Sequence, residues 1–275
     1  MKKTLLFIPM YNCEKQIGRV LRQLTGDVCA YLDEVIVVNN RSTDKSEESV
    51  REALSEYQPP VKVSLLRNRD NYGLGGSHKV AFQYAADHGF DYVIVLHGDD
   101  QGSIRDLLPY LKNGEAYTYD SFLGSRFEKE SRLVNYSAFR IFGNHVFNTV
   151  MSVILHRKIT DLGSGLNMYS TDYLRSGFYR SFIDTLTFNV YMLIYGVYSG
   201  SRFCFFPLEW REEDQVSNAK FVKQSFEILK IALRYRMHPH KVFSESAAGN
   251  RKTCYESDTV WQILPNNAEK QEERE

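Results

Sequence analysis

The chain has 275 residues, 43% of them hydrophobic and 25% charged, which is enough to bury a core and excludes a disordered chain. Lys and Arg number 34, as do Asp and Glu, so the formal net charge is zero. That balance argues against a strongly basic nucleic-acid binder, and no partner of that kind is expected. Cys13, Cys29, Cys204 and Cys254 are far apart and form no CxxC pair, so neither a zinc site nor a disulfide scaffold is expected.

In chain order, residues 4–9 form a short apolar strand, too short for a secretory leader and without a small-residue cleavage site after it. Residues 14–24 carry Ile17, Val20, Leu21 and Leu24 at helical spacing. Strands are predicted at 34–39, 61–66 and 91–96, with helices at 43–57 and 76–88 between them. Strands apolar on both faces that alternate with helices predict an α/β fold, a mostly parallel sheet flanked by helices. The second half is less regular. Strands are expected at 121–125, 165–169 and 202–208, and helices at 136–156 and 219–235. Residues 1–240 read as one continuous domain and 241–275 as a polar, poorly ordered tail. No run of about 18 apolar residues exists, so no bilayer-spanning helix is expected. The protein is read as soluble or peripheral, in the cytoplasm. The aromatic, partly basic stretch 139–157 suits either a core helix or one lying on a membrane surface.

Ligands in such sheets bind beyond the carboxyl ends of the strands, and the polar motifs cluster there. The first strand runs into Pro9-Met10-Tyr11-Asn12 and the second into Asn39-Asn40-Arg41-Ser42-Thr43-Asp44. These residues suit a base and ribose, but taken alone they suit ordinary turn and cap chemistry better. Glycines 73, 75 and 76 precede a helix, where backbone can approach a phosphate or simply turn. The fourth strand ends in His97-Gly98-Asp99-Asp100-Gln101. Adjacent carboxylates there repel one another, and a divalent cation facing Asp99, His97 and Gln101 would relieve that; the other reading is a turn with Asp100 capping the next helix.

Together these segments resemble the family 2 glycosyltransferases of GT-A fold, and among them the polyprenyl-phosphate sugar synthases. IPMYN is similar to the family's IPxYNE, VNNRSTD to VDDGSTD, NYGLGGSHKVAF to NxGxGxAxxxG, HGDDQ to DxDxQ, and FLGSRF to the following GSR segment. The resemblance spans about residues 4–220. It implies a nucleoside-diphosphate-sugar site formed by Pro9, Tyr11, Asn12, Glu14, Asn40, Ser42, Gly73, Lys79, Gly98 and Asp99. It also implies a Mn or Mg ion at Asp99 and Gln101, with His97 where the family has its first acid. Imidazole would favour Mn. Asn39 and Asn40 likewise replace acids, and Cys13 replaces the acid after the YN pair, with Glu14 next.

By the same resemblance, Arg126 and Arg140 bind the phosphate of a lipid acceptor, and Asp161 and Ser164 belong to a DxxSGF-like acceptor segment in which Asp161 is either a structural cap or a catalytic carboxylate. Tyr191 stands where the family carries a Glu. A phosphate acceptor is already anionic and needs no general base, whereas a sugar hydroxyl does. Trp210 could stack on a sugar, and Glu213 or Asp214 in the acidic run 212–214 could act as that base. The implied activity is inverting transfer of a sugar to a polyprenyl phosphate or a glycan, in surface-glycan synthesis and with peripheral membrane association. A nucleotidyltransferase would need a glycine-rich basic loop after the first strand, where this chain has PMYNCEK. A degenerate sugar-nucleotide binder stays open, because His97, Tyr191 and Asn39 all depart from the pattern.

Overall fold

A computed structural model describes residues 2–213, 221–245 and 251–265, with only the backbone of 221–223, 244 and 245. The strands are β1 Thr4–Met10, β2 Glu34–Asn39, β3 Lys62–Asn68, β4 Tyr92–Leu96, β5 Ser121–Ser125, β6 Arg132–Val134, β7 Leu166–Ser170, β8 Phe203–Pro207, β9 Glu209–Arg211 and β10 Ser257–Ile263. The helices are α1 Ile17–Leu21, α2 Gly26–Cys29, α3 Ser46–Glu56, α4 Gly73–Asp87, α5 Leu108–Lys112, α6 Ala138–Leu155, α7 Thr171–Leu174, α8 Phe188–Ser199, α9 Phe221–Met237 and α10 Pro239–Glu245.

Eight strands among the described residues make one sheet, in the order β10-β3-β2-β1-β4-β7-β5-β8. The β3-β2-β1-β4 half is parallel, β7 runs antiparallel between β4 and β5, and β8 is parallel to β5. Side chains alternate across the sheet, as the two-residue period requires. Leu6, Ile8 and Met10 of β1 join the core under α1 and α3. Leu5 and Phe7 join the one with Phe82 of α4 and Phe188 of α8. A short parallel pair, β6 and β9, sits apart from the main sheet.

Three expectations shift. The single helix over 14–24 splits, since α1 ends at Leu21 and α2 starts at Gly26. Helix α4 begins at Gly73, so the glycines lie inside its first turns. Part of the expected poorly ordered tail is instead an edge strand. β10 pairs antiparallel with β3, and Val260, Trp261 and Ile263 pack on the core. Arg69 bridges to Glu256 and Asp258 at this edge.

Candidate functional site

At the ends of β1 and β2, the sequence-predicted residues mostly bind one another. Asn12, with φ of 53°, donates its backbone N–H to the Ser42 hydroxyl oxygen at 3.0 Å. Its own Oδ1 accepts from the Thr43 N–H at 2.8 Å. Glu14 Oε2 accepts the Lys45 N–H at 3.2 Å. Buried Asn40 accepts from Asn68 Nδ2 at 3.0 Å and from the Tyr72 N–H at 2.8 Å, and donates to Asn71 Oδ1 at 2.9 Å. Asn39 donates to Glu47 at 2.6 Å, and Glu47 pairs with Arg67. These side chains act as clips that hold two turns side by side, chemistry that short polar residues perform well. Above them Tyr11 is 49% exposed, a ring available to stack on a base. Pro9 lies beneath, and its carbonyl accepts the Gly98 N–H at 3.1 Å. Glycine is required at 98, because a Cβ there would sit 2.9 Å from that oxygen.

The glycine-rich turn serves packing more than phosphate. Gly73 has φ of +69° and lies against the Asp184 backbone. Gly75 donates to the Asp184 carbonyl at 2.8 Å, and a Cβ on it would come within 2.6 Å of the Ile183 carbonyl oxygen. Lys79 is 2% exposed. Its Nζ meets Asp184 at 2.7 Å, the Phe182 carbonyl at 2.5 Å and the Tyr255 hydroxyl at 3.0 Å. Burial depresses its pKa, and Asp184 only partly restores it. The expected phosphate roles of Gly73 and Lys79 are therefore replaced. The glycines clear room for residues 183–184, and the lysine is consumed in an interior ion pair. Asp184 and Tyr255 escaped the sequence reading, because over a hundred residues separate each from Lys79.

The HGDDQ turn distributes its groups in opposite directions. His97 packs its ring 6.3 Å from that of His78 and against Gly165. Its Nε2 is buried with no hydrogen-bond partner among the described residues, and burial pushes its pKa down to about 4. The ring is neutral and packed beside His78, and no two further His, Cys, Asp or Glu side chains converge on it among the described residues, so the expected metal role has no geometric support. Asp100, with φ of 58°, takes Arg19 at 2.6 Å and Gln23 at 3.2 Å and so anchors α1. Burial pushes the Asp99 carboxyl up to about 6. Gln101 exchanges contacts with Arg211 of β9, accepting its N–H at 3.0 Å and donating to its carbonyl at 3.4 Å. Among the described residues no three His, Cys, Asp or Glu side chains converge on a metal position. The residues fit a hard cation only as a one-carboxylate site, Asp99 with the Gln101 amide oxygen, completed by phosphate oxygens of a bound donor. With His97 withdrawn, the reason for preferring Mn goes as well.

On the acceptor side, Arg126 leaves β5 and closes a fork on Asp161, Nε to Oδ2 at 2.8 Å and Nη2 to Oδ1 at 2.7 Å. The backbone N–H groups of Arg126 and Gly163 add 2.9 and 3.1 Å bonds to the same carboxylate. The guanidinium stacks 5.1 Å above the Trp210 ring. Burial opposes the charge on Asp161, yet the Arg126 charge and these bonds outweigh it and hold the carboxyl below its usual value. A carboxylate so occupied is not a general base, which corrects that expectation. Trp210, 5% exposed, is the arginine's packing partner rather than an open sugar platform. Ser164 is buried too, donating to the Leu166 carbonyl at 3.1 Å. Arg140 is half-buried over the Tyr136 ring and bonds Glu212 at 2.5 Å. Glu213 is exposed at the end of the described segment, and Asp214 lies outside the described residues. The β6–β9 pair links these groups, since Glu212 donates its N–H to Val134 while Arg211 holds Gln101.

The family described as Glycosyl transferase family 2 matches residues 6–178, more than half of the chain, and the chain belongs to that family. A UDP-N-acetylglucosamine–dolichyl-phosphate N-acetylglucosaminyltransferase of Methanococcus voltae is 24% identical over 62% of this chain and 70% of its own length. An undecaprenyl-phosphate 4-deoxy-4-formamido-L-arabinose transferase of Pectobacterium carotovorum is 29% identical over 61% of this chain and 49% of its own length. The chain thus spans from about half to somewhat over two-thirds of these relatives. The glucosyl-3-phosphoglycerate synthase of Mycobacterium tuberculosis, solved with Mn2+, UDP and phosphoglyceric acid, superposes with a TM-score of 0.57. That match covers 96% of this chain and 90% of the other at 14% identity, and it establishes the GT-A fold that the sequence resemblance implied.

Proposed function

Starting from a chain of that family, we propose that it transfers a sugar from a nucleoside-diphosphate sugar to a polyprenyl phosphate. The observation that carries this reading is the state of the acceptor side. Asp161, the acid placed there by the sequence pattern, is locked on Arg126, and buried Tyr191 stands where an acid was expected. An acceptor that is already ionised needs no base. The names of the Methanococcus and Pectobacterium relatives, which carry dolichyl and undecaprenyl phosphates, support the same acceptor class.

In this mechanism Tyr11 stacks on the base, and the backbone around Asn12, Asn40 and Gly98 frames the nucleotide. A divalent cation held by Asp99 and Gln101 supplies charge neutralisation for the leaving diphosphate. Arg140, half-exposed, turns from Glu212 to the incoming phosphate, while the Arg126–Asp161 pair fixes the loop behind it. An acceptor phosphate oxygen attacks the anomeric carbon as the bond from that carbon to the diphosphate oxygen breaks. The leaving electron pair stays on the diphosphate, and one displacement inverts the anomeric centre. Such an acceptor places the work at the cytoplasmic face of a membrane, in the synthesis of surface glycans. No helix among the described residues is long and apolar enough to cross one.

The test is a panel of nucleoside-diphosphate sugars with Mg or Mn, in which release of nucleoside diphosphate is recorded with and without polyprenyl phosphate. Lipid-dependent release is the expected result. Release unaffected by the lipid would move the acceptor to a glycan hydroxyl, with Glu213 as the described base candidate. Binding of donor without release under any condition would leave a degenerate sugar-nucleotide binder.

A further inference from the structure

We infer that helices α6 and α9 form a docking face for an anionic lipid bilayer. Phe139, Phe142, Val146, Val150 and Val153 recur at steps of three and four residues along α6, and all are exposed, Phe139 by 83% and Phe142 by 68%. The opposite side of the same helix buries Asn144, Asn148, Met151 and Leu155. Helix α9 packs beside α6 and presents Phe226, 69% exposed, with Leu233 and Met237 at steps of seven and four. A soluble protein seldom leaves two adjacent apolar stripes bare, and exposed aromatic stripes of this size mark an interaction surface.

Charge selects the occupant. Residues 138–158 and 221–245 hold eight Lys and Arg against two Glu, in a chain whose total charge is zero. Arg157, Lys158, Lys230, Arg236 and Lys241 are exposed at these helices or their ends. Apolar aromatic faces bordered by cations suit the headgroup layer of an anionic membrane, where each basic residue near the surface adds about 1 kcal/mol. The placement is also apt. Buried Asn148 donates to the Thr160 carbonyl beside Asp161, and His145 packs 5.3 Å from Phe127, the ring next to Arg126. Arg140 belongs to the first turn of the same helix. One helix diameter, about 10 Å, therefore separates the apolar face from the arginines. A lipid phosphate at headgroup level would stand beside Arg140, with the Arg126–Asp161 pair behind it. The docking deepens the lipid-acceptor reading and rests on it for its purpose, whereas the surface chemistry stands alone.

The experiment is flotation of the full chain with phosphatidylcholine vesicles, with and without phosphatidylglycerol. Nucleoside diphosphate release on a short, water-soluble polyprenyl phosphate is measured in parallel. Binding is expected to anionic vesicles and to weaken as salt rises. Phe139→Ser combined with Phe142→Ser should lower the partition coefficient on the order of a hundredfold, about tenfold per ring. Both rings are exposed, so the variant should keep its fold by circular dichroism and its release rate on the soluble acceptor. Lys230→Glu with Arg236→Glu should weaken binding to anionic vesicles about tenfold or more and leave neutral vesicles unaffected. No flotation with anionic vesicles, or equal flotation of the phenylalanine variant, overturns the inference. So does a concentration-dependent dimer that this variant dissolves, because a second copy would then cover the face. Release without flotation sinks the docking alone, and flotation without release sinks the transferase reading alone.

Discussion

Asp161→Asn separates a structural carboxylate from a catalytic one. In the folded chain Asp161 accepts four hydrogen bonds, two of them from the Arg126 guanidinium, and its side chain is 2% exposed. The asparagine keeps the shape and leaves a nearly buried guanidinium with no countercharge. Breaking a buried pair from one side costs about 3–5 kcal/mol. For a chain of this size each kcal/mol moves the melting temperature by roughly 2–4 °C, so a fall of about 6–20 °C is expected. The pH dependence has a definite sign. The folded carboxyl is held below its usual value by Arg126, so its contribution is present above the unfolded pKa of about 3.9. That contribution disappears as pH falls through the lower folded value. The gap in melting temperature between wild type and Asp161→Asn should therefore be constant near neutral pH and shrink below about pH 4. Thermal unfolding followed by circular dichroism measures both. Arg126→Met combined with Asp161→Leu should recover much of the loss, because an apolar pair removes the stranded charge. A variant that melts within about 2 °C of wild type yet loses all turnover would refute the argument and restore Asp161 as a base.

Asp99→Asn should abolish turnover, and unchanged turnover would sink the metal role. Burial raises the Asp99 carboxyl to about 6, so the folded state binds that proton more tightly than the unfolded chain does. The resulting penalty grows between about pH 4 and 6 and is full above that, so the inactive variant should melt slightly higher than wild type at neutral pH. Because proton and cation compete for that carboxylate, the divalent-ion concentration needed for half-maximal turnover should rise as pH falls below about 6. Lys79→Met strands Asp184 beside Tyr255 and should cost about 3–5 kcal/mol in urea unfolding, with KM for the donor unchanged. A raised KM in a stably folded variant would mean that the lysine reaches the diphosphate after all.

The sheet was legible because its information is local. Residues 34–39 and 91–96 are nearly continuous apolar runs, and only a strand covered on both faces wants such a run. The site was legible as a place, since the polar strand ends converge where a parallel sheet opens. The partners were not. Whether Asp161 is a base or half of an ion pair depends on Arg126, thirty-five residues away, and nothing in DLGSGL encodes that pairing. Lys79 carries the same ambiguity over more than a hundred residues, and the edge strand β10 carries it further still, because Ser257–Ile263 reads as polar until β3 supplies its backbone bonds. Within HGDDQ the difficulty is one of direction. The left-handed turn at Asp100 sends that carboxylate to Arg19 while His97 packs its ring beside His78, so neighbouring letters acquire unrelated chemistry. Helix α6 shows the opposite case. Its spacing was plain, but an apolar face is read as core by default, and the position of the buried Asn144 and Asn148 reveals that Phe139 and Phe142 point the other way. In this chain the buried polar side chains, more than the apolar ones, decide which surface faces the protein and which is left for a partner.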